Sequence, residues 1–364
     1  MTTQATISAA HILGWFEGEE GYNVLTRNFA DALARLMPVY RTGLPRGKND
    51  WVAVTPEVRP HAHTNDLSNI LFSWGDQAPY MRNMPGMKIA YVIWETSKLP
   101  DGWFAPLREV DRYWVPCTWG RDMLIDNDFS ADRIDIVPHG MDVSVFNPGI
   151  APDPAVGELD GFKFITVGRW QHRKGTADLL RAFDAEFAGD PGVRLVLSCN
   201  NPHRPDIDIA DELRALDLSC LEQLTFLPNG IKNERMAGLF TAADAAIFPT
   251  RSDPWGLPIS EAMACGLPVI ATHFSGPADY MTAETGYLLD WKPSPCPWMP
   301  ATMADGDYGM WSEPDFDQLR LLMRRIYENR DEAQAVGARA ATHIAENWTW
   351  DHAAAKAAGI LGAL

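Results

Sequence analysis

Short apolar runs and helix-like repeats alternate along the chain, most clearly in its second half. Ala245–Phe248 is an uncharged apolar run, as expected of a strand buried on both faces of a parallel sheet. A loop from Asp253 to Gly256 ends this run, Pro258 opens a helix, and Gly266 closes the helix before a second apolar run begins. The pattern therefore predicts a strand, a loop, a helix and a second strand in that order.

The same alternation recurs in both halves of the chain and predicts an α/β protein. Predicted strands cover residues 7–16, 69–74, 88–94, 112–116 and 133–137 in the first half, and 162–167, 194–198, 224–227, 245–248 and 269–271 in the second. Residues 147–154 contain three prolines and one glycine and are the best linker in the sequence. We therefore predict two doubly wound, Rossmann-like parallel-sheet domains at residues 1–150 and 151–346, followed by a closing segment at 347–364.

Length and composition agree with two globular domains. The chain has 364 residues, of which 46% are hydrophobic and 22% are charged, and a chain of this length exceeds one ordinary core. Its formal charge of −17 disfavours the phosphate contacts on which nucleic-acid-binding proteins depend. Five cysteines without paired spacing, an N-terminus unlike a signal peptide and no apolar run approaching about 18 residues predict a cytoplasmic protein without a membrane span.

Two loops predict a binding site for an anionic or hydroxyl-rich ligand. A helix that begins at the carboxyl end of a parallel strand directs its N–H groups and its positive dipole end towards the ligand edge of the sheet. The carboxylates of Asp253 and Glu261 flank such a helix start. In the other loop, Arg169, Arg173 and Lys174 lie between glycines, and either anion binding or a solvated surface loop explains this cluster.

Other features leave two interpretations open. The Gly-rich loop that contains Gly21 and Tyr22 either binds a ligand or makes a tight strand-to-helix turn. His139 precedes a glycine after another predicted strand, where a turn role and a role in a site are both open. Residues 290–314 form a long irregular insertion, which is either a packed loop or a lid.

Metal chemistry is not predicted. His61 and His63, and likewise Asp206 and Asp208, have spacings that could chelate an ion, but chance in loops explains both pairs. The cysteines also lack the spacing of a metal finger. We therefore expect no metal ion and no other cofactor.

Three motifs together resemble the retaining family-4 glycosyltransferases of the GT-B fold. They are Gly168-Arg169-x4-Lys174-Gly175, the Asp253-x7-Glu261 pair around Trp-Gly-Leu-Pro, and Trp348-Thr-Trp350 before the last helix. The resemblance covers nearly the whole chain, is strongest over residues 162–289 and is weaker over residues 1–150. It implies two Rossmann-like domains that face a central cleft, with residues 347–364 crossing back as a helix to the N-terminal domain.

The resemblance implies that the C-terminal domain holds a nucleoside-diphosphate sugar and that the sugar passes, with its anomeric configuration retained, to an acceptor on the N-terminal domain. Arg169 and Lys174 would neutralise the diphosphate, and Glu261 would accept hydrogen bonds from the ribose hydroxyls. The first carboxylate of the family's motif is normally a Glu close to the donor sugar, whereas this chain has Asp253, which is one methylene shorter.

Main-chain groups are also implied in the site. The N–H groups of Gly256 and Leu257 would bind sugar hydroxyls or phosphate. Those of Gly21 and Tyr22 would approach the diphosphate from the N-terminal domain. Such groups stabilise the negative charge that gathers on the leaving diphosphate more strongly in the transition state than in the ground state.

A further departure concerns the group near the reacting carbon. Many family members carry a His at the end of the strand that corresponds to residues 88–94, where this chain has Glu95 followed by Thr96. Glu95 is the nearest match, and Thr96 and His139 are further candidates for the cleft. The acceptor hydroxyl then loses its proton either to the departing phosphate or to Glu95.

The resemblance implies a metal-independent hexosyltransferase whose acceptor is a small molecule, a glycan or a lipid. A nucleotide-sugar-binding protein that does not transfer the sugar is the alternative, since Asp253 replaces Glu and the His is missing. A GT-B epimerase is a weaker alternative. The donor sugar and its base, the acceptor and the oligomeric state are left open by the sequence.

Overall fold

A computed structural model describes residues 9–18, 20–44, 66–200, 208–228, 231, 233–297 and 307–364. The chain divides into two compact units. Unit 1 comprises Met1–Gly140, Pro295–Met310 and Trp348–Leu364, and unit 2 comprises Met141–Ser294 and Trp311–Asn347. The division after Gly140 precedes the expected boundary between residues 150 and 151.

Unit 1 is built on a six-stranded parallel sheet with the strand order β2-β1-β3-β4-β5-β6. Its strands are β1 (Ala9–Gly14), β2 (Val39–Gly43), β3 (Leu67–Phe72), β4 (Met87–Tyr91), β5 (Arg112–Val115) and β6 (Ile134–Ile136). All six residues of the inner strand β3 are buried, as a parallel sheet covered on both faces requires. The hydrophobic pattern did not predict β2, because this edge strand alternates between half-buried and exposed residues.

Unit 2 contains a second six-stranded parallel sheet with the strand order β12-β11-β10-β7-β8-β9. Its strands are β7 (Phe162–Arg169), β8 (Val193–Asn200), β9 (Leu224–Phe226), β10 (Ala245–Phe248), β11 (Val269–Thr272) and β12 (Tyr287–Leu289). The predicted α/β architecture with two parallel sheets is thereby confirmed. The short edge strand β12 gave no recognisable pattern in the sequence.

Helices accompany both sheets. They are α1 (Gly21–Leu33), α2 (Asp101–Leu107), α3 (Thr118–Asp126), α4 (Pro154–Gly157), α5 (Thr176–Phe187), α6 (Ile209–Leu216), α7 (Asn233–Ala242), α8 (Leu257–Ala264), α9 (Pro277–Tyr280), α10 (Phe316–Glu328), α11 (Arg330–Asn347) and α12 (Trp350–Gly362). Apolar residues at helical spacing form the buried faces, as Leu179, Leu180 and Phe183 do in α5. None of the helices in the described ranges is long and apolar enough to cross a membrane.

The predicted linker at residues 147–154 is packed structure. Asp153 caps α4 by accepting a hydrogen bond from the N–H of Ala155, at 2.9 Å. Its own N–H donates to the carbonyl of Gly238 at 2.8 Å, and its carboxylate pairs with Arg235. The prolines therefore begin α4 and dock it on α7 within unit 2.

The insertion at residues 290–314 is more regular than its sequence predicts. Its two ends form a two-stranded sheet of β13 (Trp291–Pro295) and β14 (Met310–Pro314). Within unit 1, Ser97 and Met310 exchange main-chain and side-chain hydrogen bonds of 2.9 and 2.8 Å. Gly309 has a φ of +69°, and a Cβ there would lie 2.3 Å from Oγ of Ser97. This part of the insertion is thus packed against the loop that follows β4.

The closing segment of the chain packs within unit 1. Helix α12 lies against α1, and Thr349 caps it in a reciprocal capping box with His352. An ideal Cβ on Gly140 would lie 2.2 Å from the main-chain nitrogen of Trp350. The segment that follows β6 approaches the start of α12 so closely that only a glycine fits at position 140.

Gly140→Ala tests this contact. We expect the substitution to lower the free energy of unfolding by about 1–3 kcal/mol, because the new methyl group meets main-chain atoms that cannot rotate away. Thermal unfolding followed by circular dichroism measures the change. Gly359→Ala is the matched control, since a Cβ at this exposed position of α12 meets nothing within 4 Å. The control should raise stability slightly, and equal midpoints for the two variants would contradict the proposed contact.

Candidate functional site

The strand order of unit 2 reverses between β7 and β10. From β7 the chain continues to β8 and β9 on one side, and from β10 it continues to β11 and β12 on the other. In open parallel sheets, ligands bind beyond the carboxyl ends of the strands at such a reversal. The loops that follow β7 and β10 are the two in which the sequence places its candidate charges, at residues 169–175 and 249–256.

Main-chain contacts hold these two loops together. The N–H of Arg251 donates to the carbonyl of Arg173 at 2.7 Å, and Nη1 of Arg173 donates to the carbonyl of Ser252 at 2.5 Å. Gly175 has a φ of +69°, and a Cβ there would lie 2.2 Å from the carbonyl oxygen of Pro249. A side chain at position 175 would therefore separate the loops, which explains why a glycine follows the basic residues.

Lys174 and Asp253 form an ion pair across the two loops. Nζ of Lys174 donates to Oδ2 of Asp253, and the two side chains are only 15% and 13% exposed. Burial alone would raise the pKa of Asp253, but the charges of Lys174 and Arg173 and the hydrogen bonds from Lys174 and from the N–H of Gly256 hold this pKa below its usual value. The structure thus brings together two predicted site residues that lie far apart in sequence.

Gly256 and Leu257 lie where the sequence predicts a helix start. Gly256 has a φ of +82° and precedes α8, whose first residue is Leu257. The hydroxyl of Tyr280 donates to the carbonyl of Trp255 at 2.9 Å and fixes the preceding turn. The N–H of Gly256 donates a hydrogen bond to the carboxylate of Asp253. This N–H therefore has a partner within the protein, although the resemblance implies that the N–H contacts a ligand.

Glu261 is a buried carboxyl on α8. The residue is 8% exposed, and no ion pair or hydrogen bond of its carboxyl group is found among the described residues. Burial raises the pKa of Glu261 from 4.5 to about 8. A carboxyl group in this state is ready to accept hydrogen bonds from hydroxyl groups of a ligand.

Arg251 was not singled out in the sequence, yet it is a buried cation with several polar contacts. It is 3% exposed, and its guanidinium group donates to both carboxylate oxygens of Glu313 at 2.8 and 2.7 Å, to Asp178 at 2.9 Å and to the carbonyl of His172 at 2.8 Å. An arginine in the loop directly after the apolar run 245–248 is the signal that could have identified it. Its partners could not be identified from the sequence, because they lie on α5 and β14.

Arg169 ends β7 and is half-buried. It belongs to the same loop as Lys174, so two of the cations that the sequence assigns to an anion lie at the strand reversal. Arg173 contributes a third cation, whose Nη1 is bound to the opposite loop. Three cations of one loop thus lie at the strand reversal of a protein that is acidic as a whole, and Asp253 pairs with one of them.

Unit 1 has a corresponding strand reversal between β1 and β3. Gly21 begins α1, the first helix after β1, and Tyr22 follows it. The Tyr22 ring meets the edge of Trp15 with centroids 5.5 Å apart, and Trp15 in turn meets Trp74 at 6.0 Å. Burial, with the charges of Glu95 and Asp76, raises the pKa of Tyr22.

The remaining candidates of unit 1 have different surroundings. Glu95 is half-buried and lies close enough to Tyr22 for its charge to act on the phenol. Thr96 is fully buried, and its hydroxyl donates to the carbonyl of Lys98 at 3.1 Å. His139 is 5% exposed, and its ring lies between those of Tyr91 and Trp350, at centroid distances of 5.8 and 6.3 Å. The structure thus brings Glu95 near Tyr22 and places Thr96 and His139 in packed surroundings.

No cluster of three or more His, Cys, Asp or Glu side chains that could hold a metal ion occurs within the described ranges. Of the residues with chelating spacing, His61, His63 and Asp206 lie outside those ranges. Asp208 caps α6 by accepting a hydrogen bond from the N–H of Ala210 at 2.8 Å. All five cysteines are buried.

Comparisons with known proteins agree with this geometry. Residues 161–295 match the family described as Glycosyl transferases group 1. A D-inositol 3-phosphate glycosyltransferase of Mycobacteroides abscessus is 35% identical over 191 residues, which are 50% of this chain and 41% of that protein. The chain thus matches less than half the length of this curated relative.

Solved structures extend the likeness to nearly the whole chain. Sucrose-phosphate synthase from Thermosynechococcus elongatus aligns with a TM-score of 0.69 and 18% identity over 97% of this chain and 98% of that one. Anabaena HepE, determined in complex with UDP-glucose, aligns with a TM-score of 0.69 and 14% identity over 98% of this chain and 100% of that one. The chain therefore has the GT-B fold of glycosyltransferases, and its residues 161–295 match the Glycosyl transferases group 1 family.

Proposed function

We propose that this protein is a retaining glycosyltransferase that moves a sugar from a nucleoside-diphosphate sugar to an acceptor hydroxyl. One observation carries the proposal. The loops after β7 and β10 meet at a strand reversal. Lys174 lies on the first loop, and α8 begins at the end of the second. Helix α8 carries the buried carboxyl group of Glu261. A nucleotide sugar offers both of the groups that such a site takes, a diphosphate for the cations and hydroxyls for the carboxyl.

Donor binding is assigned to the residues of unit 2. Arg169 and Lys174 neutralise the diphosphate, and Glu261 accepts hydrogen bonds from the ribose. Relatives support this donor class, since HepE is described in complex with UDP-glucose and the Mycobacteroides abscessus relative is named a glycosyltransferase. Binding experiments with different nucleotides and nucleotide sugars identify the base and the sugar that the site prefers.

Asp253 has a different role in this proposal from that of the longer Glu in the family's motif. Its carboxylate is bound by Lys174 and by the N–H of Gly256. Asp253 therefore positions the ammonium group of Lys174. When the donor binds, this ammonium group contacts both Asp253 and the diphosphate. The shorter side chain suits this role because it keeps the ion pair within the two loops.

The transfer step balances without a separate catalytic base. The bond between the anomeric carbon and the phosphate oxygen breaks, and a bond from the acceptor oxygen to that carbon forms on the same face. The acceptor proton passes to the departing phosphate, whose growing charge Arg169 and Lys174 stabilise. Glu95, beside Tyr22 in unit 1, positions the acceptor hydroxyl.

The proposal is tested by following diphosphate release from a panel of nucleoside-diphosphate sugars. Each donor is assayed alone and with polyols, glycans and lipid extracts, and mass spectrometry identifies the products. Acceptor-dependent release with a glycosylated product supports the transferase. Tight donor binding without release or transfer indicates the non-catalytic binding protein instead, and an altered sugar on the same nucleotide indicates an epimerase.

Lys174→Met should weaken the binding of nucleoside diphosphates by roughly 10- to 100-fold, since a charge-assisted hydrogen bond contributes about 1.5–3 kcal/mol. Isothermal titration calorimetry with UDP, ADP and GDP measures the affinity. Lys292→Ala, at an exposed position of unit 2, is the control and should bind as the wild type does. The double variant Lys174→Met, Asp253→Asn removes the carboxylate that the single variant leaves unpaired. Unchanged affinity in both Lys174 variants would remove this residue from the donor site.

Glu261→Gln should change the pH dependence of stability and of binding. The pKa of Glu261 is raised to about 8 in the folded protein. Its contribution to stability is therefore fully present below pH 4.5 and is lost as the pH rises to about 8. The wild type should lose more of its melting temperature than Glu261→Gln does between these values.

The same ionisation predicts proton release on binding. Ribose hydroxyls that donate to Glu261 favour its charged form, so nucleoside diphosphate binding near pH 7 should release a proton. Calorimetry in buffers of different ionisation enthalpy counts the protons. Glu261→Gln should release none, and Glu284→Gln, at an exposed position, should behave like the wild type. Equal proton release in all three proteins would separate Glu261 from the ligand.

Binding and transfer should not depend on a divalent cation, because side-chain cations supply the positive charge. Activity in the presence of EDTA should equal activity in its absence. A loss of activity with EDTA that added Mg²⁺ or Mn²⁺ restores would refute the metal-independent mechanism.

A further inference from the structure

The buried guanidinium group of Arg251 connects three elements of unit 2. It donates to Glu313 on β14 through two hydrogen bonds of 2.8 and 2.7 Å, to Asp178 in the first turn of α5 at 2.9 Å, and to the carbonyl of His172 at 2.8 Å. Its centre lies 5.7 Å from the ring centroid of Phe316. The chain from His172 to the start of α5 and the distant strand β14 are thereby fixed to one side chain.

Stability alone does not explain a charge buried in this way. Burial disfavours the charged form of Arg251, and the hydrogen bonds with Glu313 and Asp178 outweigh that effect and raise its pKa. Well-packed apolar residues often replace buried ion pairs without loss of stability. The hydrogen bonds of the guanidinium group are directional, so they fix the position of the main chain of Arg251. An apolar side chain would not fix it in this way.

The main chain of Arg251 is fixed on both sides. Its N–H donates to the carbonyl of Arg173 at 2.7 Å. Its carbonyl accepts hydrogen bonds from the N–H and the hydroxyl of Ser312, at 3.0 and 2.6 Å, and Ser312 is fully buried. Strand β14 therefore holds the loop after β10 in place, and that loop holds the main chain next to Lys174.

The two residues that follow Arg251 contact the charged side chains of the loop after β7. The carbonyl of Ser252 accepts the hydrogen bond from Arg173, and Asp253 pairs with Lys174. A shift of Arg251 would move both of these partners with respect to the basic loop. The ammonium group of Lys174 is therefore positioned through a chain of contacts that starts at Glu313.

We propose that Arg251 is a positioning residue for the cations of the donor site and that Glu313 of β14 holds Arg251 in place. This inference rests on the proposed function, because it assigns to Lys174 a diphosphate ligand. Neither Arg251 nor Glu313 contacts the ligand. They set the geometry in which Lys174 meets it, and the inserted strand β14 is thus part of the donor site's framework.

Arg251→Met should weaken the binding of UDP, or of whichever of UDP, ADP and GDP the wild type prefers, by up to roughly 10- to 100-fold, because a displaced Lys174 loses its charge-assisted hydrogen bond to the diphosphate. Arg251→Lys keeps the charge but loses the two-pronged contact with Glu313, and it should also weaken binding. Glu313→Gln should have a smaller effect in the same direction. Isothermal titration calorimetry below the melting temperature of every variant measures the affinities.

A double-mutant cycle separates positioning from a general loss of stability. If Arg251 acts through Lys174, Arg251→Met should cost little further affinity in a protein that already carries Lys174→Met. Arg324→Met is the control, because Arg324 makes a partly buried ion pair with Glu186 elsewhere in unit 2, at 2.7 Å. The control should lower the melting temperature and leave nucleotide affinity unchanged.

The outcomes distinguish this inference from the proposed function. A wild type that binds none of the three nucleoside diphosphates refutes the proposed function itself. A wild type that binds one of them, with Arg251→Met and Arg251→Lys binding equally well, refutes the positioning role. Full additivity of the Arg251 and Lys174 effects also refutes it, since two independent contributions would then act on the ligand.

Discussion

The contact between the loop after β7 and the loop after β10 is the constraint on which the candidate site depends. Gly175 approaches the carbonyl of Pro249 so closely that a Cβ would lie 2.2 Å from it, and the main-chain hydrogen bond from Arg251 to Arg173 maintains the contact. The strand reversal of the sheet brings the loops to one edge, and this contact limits their separation. The ion pair of Lys174 with Asp253 joins the same two loops.

The pairing of the buried charged side chains in unit 2 agrees with the proposed binding site. Arg251 is buried and paired with two carboxylates, and Lys174 is paired with Asp253, so desolvation of each cation is offset by an opposite charge. Glu261 is different, because burial acts on it alone and raises its pKa to about 8. Buried groups with strongly shifted pKa values are concentrated at functional sites, and Glu261 is the group that we propose for the ribose hydroxyls.

The two units apply the same topology to different chemistry. In both, the strand order reverses within a parallel sheet, between β1 and β3 in unit 1 and between β7 and β10 in unit 2. The reversal of unit 2 is lined with cations and carboxylates, whereas that of unit 1 carries the rings of Trp15, Tyr22 and Trp74. The difference matches the proposed division of labour, in which unit 2 binds the charged donor and unit 1 binds the acceptor.

The sequence by itself determined the local elements of this protein. The order of β10, α8 and β11 could be predicted because apolar periodicity, Pro258 and Gly266 act on neighbouring residues, and the basic loop before α5 was visible for the same reason. Short elements such as β12, and the strands within residues 290–314, carry too little pattern to be predicted. The tertiary structure alone decided which charges meet, because the partners of Lys174 and Arg251 lie 79 and 62 positions away in the chain. It also decided that Asp253 holds Lys174 and that Glu261 is buried without a counter-ion, since burial and pairing depend on contacts between distant segments that no local pattern encodes.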